Sequence, residues 1–230
     1  MKTQAIIPAA GMGVRLKSSV IKPLILLAGK PILIYSLEIL QSCSLVESII
    51  LVGPKNHLAD FRKMIQRYRL NKVKAIIAGG ATRAESVRNG LACLDEDTEL
   101  VLIHDGVRPL VTKKIVEAAV RLAQRHSAVV AAVPVKPTIK KINPKTLCVE
   151  ETLDRNILWE AQTPQIFRRD LLEKAHAKPN SHRGSPTDDA MMVEALGIRV
   201  RVLPGDEANI KITTPEDLTM AAALLKARKN

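Results

Sequence analysis

The chain has 230 residues, 47% of them apolar, and a formal net charge of +12 from 35 Lys+Arg against 23 Asp+Glu. That apolar fraction excludes a disordered chain, and the length suffices for a sizeable core without disulfide or metal staples. Aromatic residues make up only 2%. This is too few for the stacking platforms of single-stranded nucleic-acid binders, so the positive balance points to a small anionic substrate or an acidic surface.

Short Val/Ile/Leu-rich runs take turns with amphipathic segments along the chain. Gln4–Ile7, Ser48–Val52, Val73–Ile77, Leu100–Ile103 and Ala128–Val133 lack clean alternation and read as buried parallel strands. Ile32–Leu40, Leu58–Arg69, Ala84–Leu94 and Thr112–Arg125 read as helices between them. In the second, Leu58, Phe61, Ile65 and Tyr68 recur at helical spacing. Thr214-Pro215-Glu216-Asp217 opens a last helix with a cap, a proline at the first position and acids in the first turn. The expected fold is α/β, a doubly wound and mainly parallel sheet in one domain over residues 1–230.

That rhythm breaks at Val135–Ile157. Two short β-type runs flank a turn at Asn143-Pro144-Lys145, amid Lys136, Lys140, Lys141, Lys145, Glu150, Glu151, Asp154 and Arg155. The segment reads as a hairpin arm. A two-stranded hairpin is marginal by itself, so the expected support is a second subunit. Lys178–Pro186 reads as a mobile loop, and the basic segment with Arg62, Lys63, Arg67, Arg69, Lys72 and Lys74 as a solvated face. Cys43, Cys93 and Cys148 are scattered and form no CxxC, as expected in a reducing compartment. The N-terminal stretch has no apolar run of signal-peptide length, and no segment approaches the ~18 apolar residues that span a bilayer, so a cytoplasmic location without membrane contact is expected.

Ala9-Ala10-Gly11-Met12-Gly13-Val14-Arg15 follows the first strand, at the edge where α/β sheets bind ligands. Small residues let backbone N–H groups approach a phosphate. Leu16 excludes a dinucleotide fingerprint, and no Gly-Lys-Ser/Thr completes a Walker loop. Arg15 and Lys22 then bracket a triphosphate, one as a fork and the other as a point charge. Gly79-Gly80-Ala81-Thr82-Arg83-Ala84-Glu85-Ser86 follows the third strand and reads either as a cradle for base and ribose or as a plain strand-to-helix turn. In His104-Asp105-Gly106-Val107-Arg108, Asp105 suits a metal or ribose and Arg108 a phosphate, with a local ion pair between them as the alternative. His104 reads as a structural histidine and Trp159 as a core or interface anchor. Thr187-Asp188-Asp189 reads as a helix N-cap with first-turn acids. Asn209–Thr213 reads as a short strand with Lys211 at its mouth.

In this order A-A-G-x-G-x-R, a following Lys, G-G-x-x-R-x-x-S-V, H-D-x-x-R-P, T-x-D-R, Q-T-P-Q-x-F, T-D-D-A and N-I-K-I-T-x-P-E-D-L span Ala5 to Leu218. The set resembles the 2-C-methyl-D-erythritol 4-phosphate cytidylyltransferases. The resemblance implies a nucleotidyltransferase-type, Rossmann-like sheet and a homodimer joined through the β-arm of residues 135–157. It also implies transfer of CMP from CTP to a methylerythritol phosphate with Mg²⁺, releasing pyrophosphate, in non-mevalonate isoprenoid precursor synthesis. Arg15, Lys22, Arg155 and Lys211 would be the catalytic set by this resemblance. Ala9, Ala10, Gly11, Gly13, Gly80, Ala81, Ser86, Asp105 and Gly106 would hold the nucleotide. Asp105, Arg108, Thr138, Arg155, Thr163, Thr187 and Lys211 would surround the acceptor, with Thr138 and Arg155 delivered by the neighbouring subunit. The metal would sit mainly on phosphate oxygens, with Asp105 as its candidate carboxylate.

The sequence departs from the family pattern in three places. Ile21 and Pro23 flank Lys22 where the family usually reads Pro-Lys-Gln, Gly106-Val107 replaces Ala-Ala, and Pro137-Thr138 replaces Asp-Thr in the arm. Two other functions fit these motifs less fully: a ribitol 5-phosphate cytidylyltransferase, and a non-catalytic nucleotide- or nucleic-acid-binding protein.

Overall fold

The structure is a computed structural model that describes residues 1–11, 21–177 and 186–228. Its strands are β1 (Thr3–Pro8), β2 (Leu26–Leu27), β3 (Lys30–Pro31), β4 (Ser48–Gly53), β5 (Val73–Ala78), β6 (Leu100–Ile103), β7 (Ala128–Pro134), β8 (Lys140–Ile142), β9 (Val149–Thr152), β10 (Trp159–Arg168) and β11 (Arg201–Pro204). Its α-helices are α1 (Ile32–Ser42), α2 (Leu58–Arg67), α3 (Arg83–Leu91), α4 (Lys113–Ala123), α5 (Arg169–Ala177), α6 (Asp189–Glu194) and α7 (Pro215–Ala227). The five apolar runs are all strands, and the segments between them helices, with ends shifted by a few residues.

Seven strands form one sheet in the order β11-β7-β10-β6-β1-β4-β5. β1 pairs parallel with β4 and β6, β5 with β4, and β11 with β7, whereas β10 runs antiparallel to both β6 and β7. Because the inner strands β1, β4 and β6 are covered on both faces, neither of their faces needs polar alternation. Ala5, Ile7, Ile49, Leu51, Leu100 and Leu102 pack under α1, α2 and α4, while Ile6, Ile50, Val52, Val101 and Ile103 pack under α3, α5 and α6. A smaller cluster of Leu27, Ile32, Leu110, Ile212 and Ala221 seats α7. The carboxyl ends of β1, β4, β5 and β6 lie along one edge, and the chain direction across the sheet reverses between β1 and β6, which opens a crevice there. No helix among the described residues is long and apolar enough to cross a membrane.

The arm is present as expected. β8 and β9 pair antiparallel, and Asn143 Oδ1 accepts from the Lys145 and Thr146 amides to close the turn. Ile142, Leu147, Val149, Ile157 and Trp159 on and beside it are exposed, so Trp159 is not a core anchor within this chain.

Two expectations need correction. Asn209–Thr213 is not a strand. Its period-two pattern makes no ladder; the Ile212 amide donates to the Val107 carbonyl at 2.9 Å, and side chains hold the rest, with Arg108 Nη1 donating to the Asn209 carbonyl and the Thr213 amide to Asp217 Oδ2. The basic segment is not uniformly solvated, because Lys72 Nζ donates to the carbonyls of Cys43 and Val46 at 2.6 and 2.7 Å and caps the end of α1. The loop predicted over Lys178–Pro186 lies, but for its last residue, outside the described residues.

Helix α3 sits so close to β1 that a Cβ at Gly90 would lie 2.6 Å from Ile6 Cγ2, deep in the core. Gly90→Ala is therefore expected to lose about 1–3 kcal/mol of stability through overpacking, although alanine is the better helix former by about 1 kcal/mol. Denaturant unfolding checks this; a gain in stability would contradict the packing described.

Candidate active site

Two cavities open at the carboxyl edge of the sheet. The first is lined by Pro8, Ala9, Ala10 and Gly11 after β1, by Lys22 and Pro23, by Gly80–Arg83 and Ser86 around the start of α3, and by Asp105, Val107 and Lys211. The second is lined by Arg108, Ala161, Gln162, Thr163, Gln165, Thr187 and Asp188. Arg83, Asp105 and Lys211 line both and form the wall between them.

The first cavity has its shape because two loops interlock. A Cβ at Gly79 would lie 2.5 Å from Ala10 Cβ and 2.7 Å from Ser86 Oγ, so only glycine lets the loop after β5 approach the loop after β1. Thr82 caps α3 in a capping box with Glu85, and Glu85 also accepts the Ala81 amide at 2.7 Å. The Ser86 hydroxyl accepts from the Gly80 amide at 3.2 Å and donates to the Thr82 carbonyl at 2.9 Å. The loop is thus held by its own side chains.

Asp105 follows β6 and is buried, and each of its oxygens meets a different cation. Oδ1 accepts from Arg83 Nε at 3.1 Å, Oδ2 lies 2.7 Å from Lys211 Nζ, and Arg108 Nε stands 3.8 Å from Oδ2. Burial pushes its pKa up, but the charges of Arg83 and Lys211 outweigh burial and hold the carboxyl well below the usual range. The local Asp105–Arg108 pair is thus the weakest of the three contacts. Arg108 instead spends Nη1 on the Asn209 carbonyl at 2.7 Å, and its buried Nε has no hydrogen-bond partner.

His104 is the structural histidine expected. The Arg108 carbonyl, 3.3 Å from Nε2, can only accept, so the proton sits on Nε2. Nδ1 then accepts from the Thr163 hydroxyl at 3.0 Å, and that hydroxyl in turn accepts the Asp105 amide at 3.1 Å. Burial is the main reason its pKa drops to about 4. Thr163 reaches this position from a register shift in β10 between Ala161 and Gln165, a bulge of the kind that re-aims side chains beside binding sites.

The remaining candidates divide. Ala9, Ala10, Gly11, Lys22, Gly80, Ala81 and Ser86 line the first cavity, while Arg108, Thr163 and Thr187 line the second. Gly106 lines neither; a Cβ there would lie 2.8 Å from Leu33 Cδ1, so it packs against α1. Thr138 and Arg155 lie exposed on the arm, with Arg155 Nη1 donating to the Lys136 carbonyl at 3.0 Å, and they line neither cavity. Gly13 and Arg15 lie outside the described residues. Val107 does reach the first cavity, and Ile21 packs on the core beside Lys22.

Arg83 was given no role by the sequence reading. It bridges two buried carboxylates, with Nη1 2.7 Å from Asp189 Oδ2 as well as Nε on Asp105. One signal for it was available, since a cation in the first turn of a helix opposes the dipole and implies anions nearby. Asp189 is likewise more than a solvated first-turn acid: it is fully buried, and its other oxygen lies 3.1 Å from His176 Nε2. Asp188 is the N-cap, accepting from the Met191 amide at 2.9 Å. Among the described residues no cluster of three His, Cys, Asp or Glu side chains suits a metal ion.

The chain matches the family model described as 2-C-methyl-D-erythritol 4-phosphate cytidylyltransferase over residues 3–227. A protein of that name from Syntrophus aciditrophicus is 46% identical over 98% of this chain and 96% of its own length. One from Alkaliphilus metalliredigens is 42% identical over 100% and 95%. The crystal structure of the 4-diphosphocytidyl-2C-methyl-D-erythritol synthase from Anaerococcus prevotii superposes with a TM-score of 0.86 at 32% identity, covering 98% of this chain and 96% of that one.

The depressed pKa of His104 makes a pH prediction. In the folded chain the His104 ring stays neutral down to about pH 4, whereas in the unfolded chain it takes up the proton near 6.5. Stability is therefore intact above about pH 6.5 and falls as the pH drops through that window, by about 3 kcal/mol. Unfolding measured from pH 7.5 to 4 is expected to show this slope in the wild type and to lose it in His104→Gln.

Proposed function

The chain belongs to the 2-C-methyl-D-erythritol 4-phosphate cytidylyltransferase family, and from this premise we propose that it transfers CMP from CTP to 2-C-methyl-D-erythritol 4-phosphate and releases pyrophosphate. The observation that carries the reading is the pair of cavities sharing one charged wall. A transferase for two anions needs two neighbouring sites with cations between them, and Arg83, Asp105 and Lys211 border both.

CTP occupies the first cavity, its cytidine against the Gly80–Ser86 loop and its triphosphate toward the loop after β1. The acceptor occupies the second. An oxygen of the acceptor phosphate attacks the α-phosphorus, a new P–O bond forms, and the bond to the β-phosphate oxygen breaks as pyrophosphate leaves. Near neutral pH a phosphate monoester is already mostly ionised, so no general base is needed. That suits a site whose histidine, His104, is neutral and locked in hydrogen bonds. What the protein supplies is position and positive charge. Lys22 and Arg15 serve the triphosphate, and Lys211 stands between the two phosphates. Arg108, whose buried Nε makes no hydrogen bond, and Thr163 and Thr187 receive the acceptor.

A divalent cation fits this arrangement if it arrives on the triphosphate. Asp105 is the only carboxylate lining the first cavity among the described residues, and each of its oxygens is engaged by one close cation and keeps a second lone pair. Phosphate oxygens and water would supply the other ligands, and the ion would neutralise charge on the leaving pyrophosphate.

The arm supports a homodimer. Thr138 and Arg155 line neither cavity of their own chain, while Leu147, Ile157 and Trp159 are exposed around them. A partner subunit would cover the apolar residues and receive Thr138 and Arg155 at its acceptor cavity. A cytoplasmic setting suits the three free cysteines.

Purified protein is expected to release pyrophosphate from CTP with methylerythritol phosphate; turnover with ribitol 5-phosphate alone would reassign the acceptor, and no turnover together with tight nucleic-acid binding that survives about 0.2 M salt would reject an enzyme. Lys22→Ala and Lys211→Ala are each expected to lower kcat by about 10²–10³, as for loss of one preorganised charge. Unchanged kcat in both would remove their assigned roles. Co-expressing Arg155→Ala with Lys22→Ala subunits is expected to restore part of the activity, and failure to do so would favour a site completed within one chain.

A further inference from the structure

We propose that His176 and Asp189 act through Arg83 as positioning residues, holding the Asp105 carboxylate and, through it, the Lys211 ammonium at the wall between the two cavities. The proposal rests on the transferase reading above.

The links run in one line and no atom is used twice. His176 Nε2 lies 3.1 Å from Asp189 Oδ1; Asp189 Oδ2 lies 2.7 Å from Arg83 Nη1; Arg83 Nε lies 3.1 Å from Asp105 Oδ1; Asp105 Oδ2 lies 2.7 Å from Lys211 Nζ. The line begins on α5, passes through the first residue of α6 and the first turn of α3, and ends on the irregular loop before α7. Its first two members are closed to water: His176 is 6% exposed and Asp189 is fully buried, while the Arg83 side chain is 26% exposed. Lys211 is the opposite case, with its side chain 39% exposed on a loop outside the sheet.

A lysine on a four-carbon stem has wide rotamer freedom, so its ammonium is localised only by what it binds. Here that is Asp105. A carboxylate gripped by Lys211 alone would swing with it. Arg83 prevents this by fixing the other oxygen, and a planar fork does so at a set angle. Arg83 is itself long and needs a second anchor, which Asp189 provides and His176 holds in turn. Stability does not explain the arrangement, because a buried ion pair is commonly no better than an apolar replacement. A fixed direction for one ammonium does explain it, since a misplacement of about 1 Å at a reacting centre costs about 10² in rate.

Three variants test the chain: His176→Leu, which leaves Asp189 Oδ1 without its donor; His176→Gln, whose amide can restore it; and Arg83→Lys, which keeps the charge but cannot bridge two carboxylates. His176→Leu and Arg83→Lys are expected to lower kcat about tenfold or more while the KM for CTP changes less than about threefold. His176→Gln is expected to stay within about threefold of the wild type. Crystal structures should show Lys211 Nζ at least about 1 Å further from Asp105 in the two impaired variants. The proposal is overturned if kcat stays within about twofold in both, or if all three variants lose activity only in proportion to the folded fraction measured by thermal melting. Should His176→Leu fail to fold, Arg83→Lys carries the same test. If the unmutated protein shows no turnover, the transferase reading fails by itself, and the Asp105–Lys211 separation in the crystals still decides the positioning chain.

Discussion

A carboxylate buried among three cations is the constraint on which the rest of this site depends. Arg83, Arg108 and Lys211 converge on Asp105 within 3.8 Å. Without an anion at their centre they would repel one another and scatter. With Asp105 and Asp189 in place the cluster still carries a surplus of positive charge, and that surplus faces two cavities. Two polyanions that would otherwise repel can then meet across it. The cost is desolvation of several ions, which explains why most polar atoms in the group have a defined partner; the buried Arg108 Nε, which has no hydrogen bond, belongs to a residue lining the second cavity.

The sheet is arranged to deliver these groups to one place. Parallel strands end together, so the loops after β1, β5 and β6 share an edge and bring small residues, a capped helix start and Asp105 side by side. The reversed strand β10 adds something that a parallel strand cannot. It passes β6 in the opposite direction, so its middle, with a bulge, lies beside the end of β6 and hands Thr163 to both His104 and the Asp105 amide. One hydroxyl thereby donates to the histidine and holds the acid's backbone.

How much of this was legible in the sequence follows from which forces leave a linear trace. Fully buried strands leave apolar runs, and all five were readable. The loops at their ends were readable because small residues and cations concentrate there. β10 left no such trace: its buried stretch Gln162-Thr163-Pro164-Gln165 is polar and is satisfied by partners distant in the chain, such as Asp188 and His104. The segment Asn209–Thr213 carries a strand's alternation for another reason. Ile210 and Ile212 both pack on the cluster beneath α7, while Asn209 is buried against the Thr163 carbonyl. Arg83 and Asp189 looked like ordinary first-turn residues of two helices, and only the packing of α3 against α5 and α6 makes them neighbours.

The arm has a consequence for how such a chain can change. β7 and β10 are paired neighbours, and Pro134 faces Trp159 in register where the arm leaves and returns. The hairpin is therefore a cassette inserted at a single point of the sheet. Its length and composition can drift, as Pro137-Thr138 already illustrates, without shifting the register of any strand or the loops that shape the first cavity. The two parts of the chain are held to different standards: the cavities are fixed by the interlocked core of the sheet, and the arm is open to replacement as a unit.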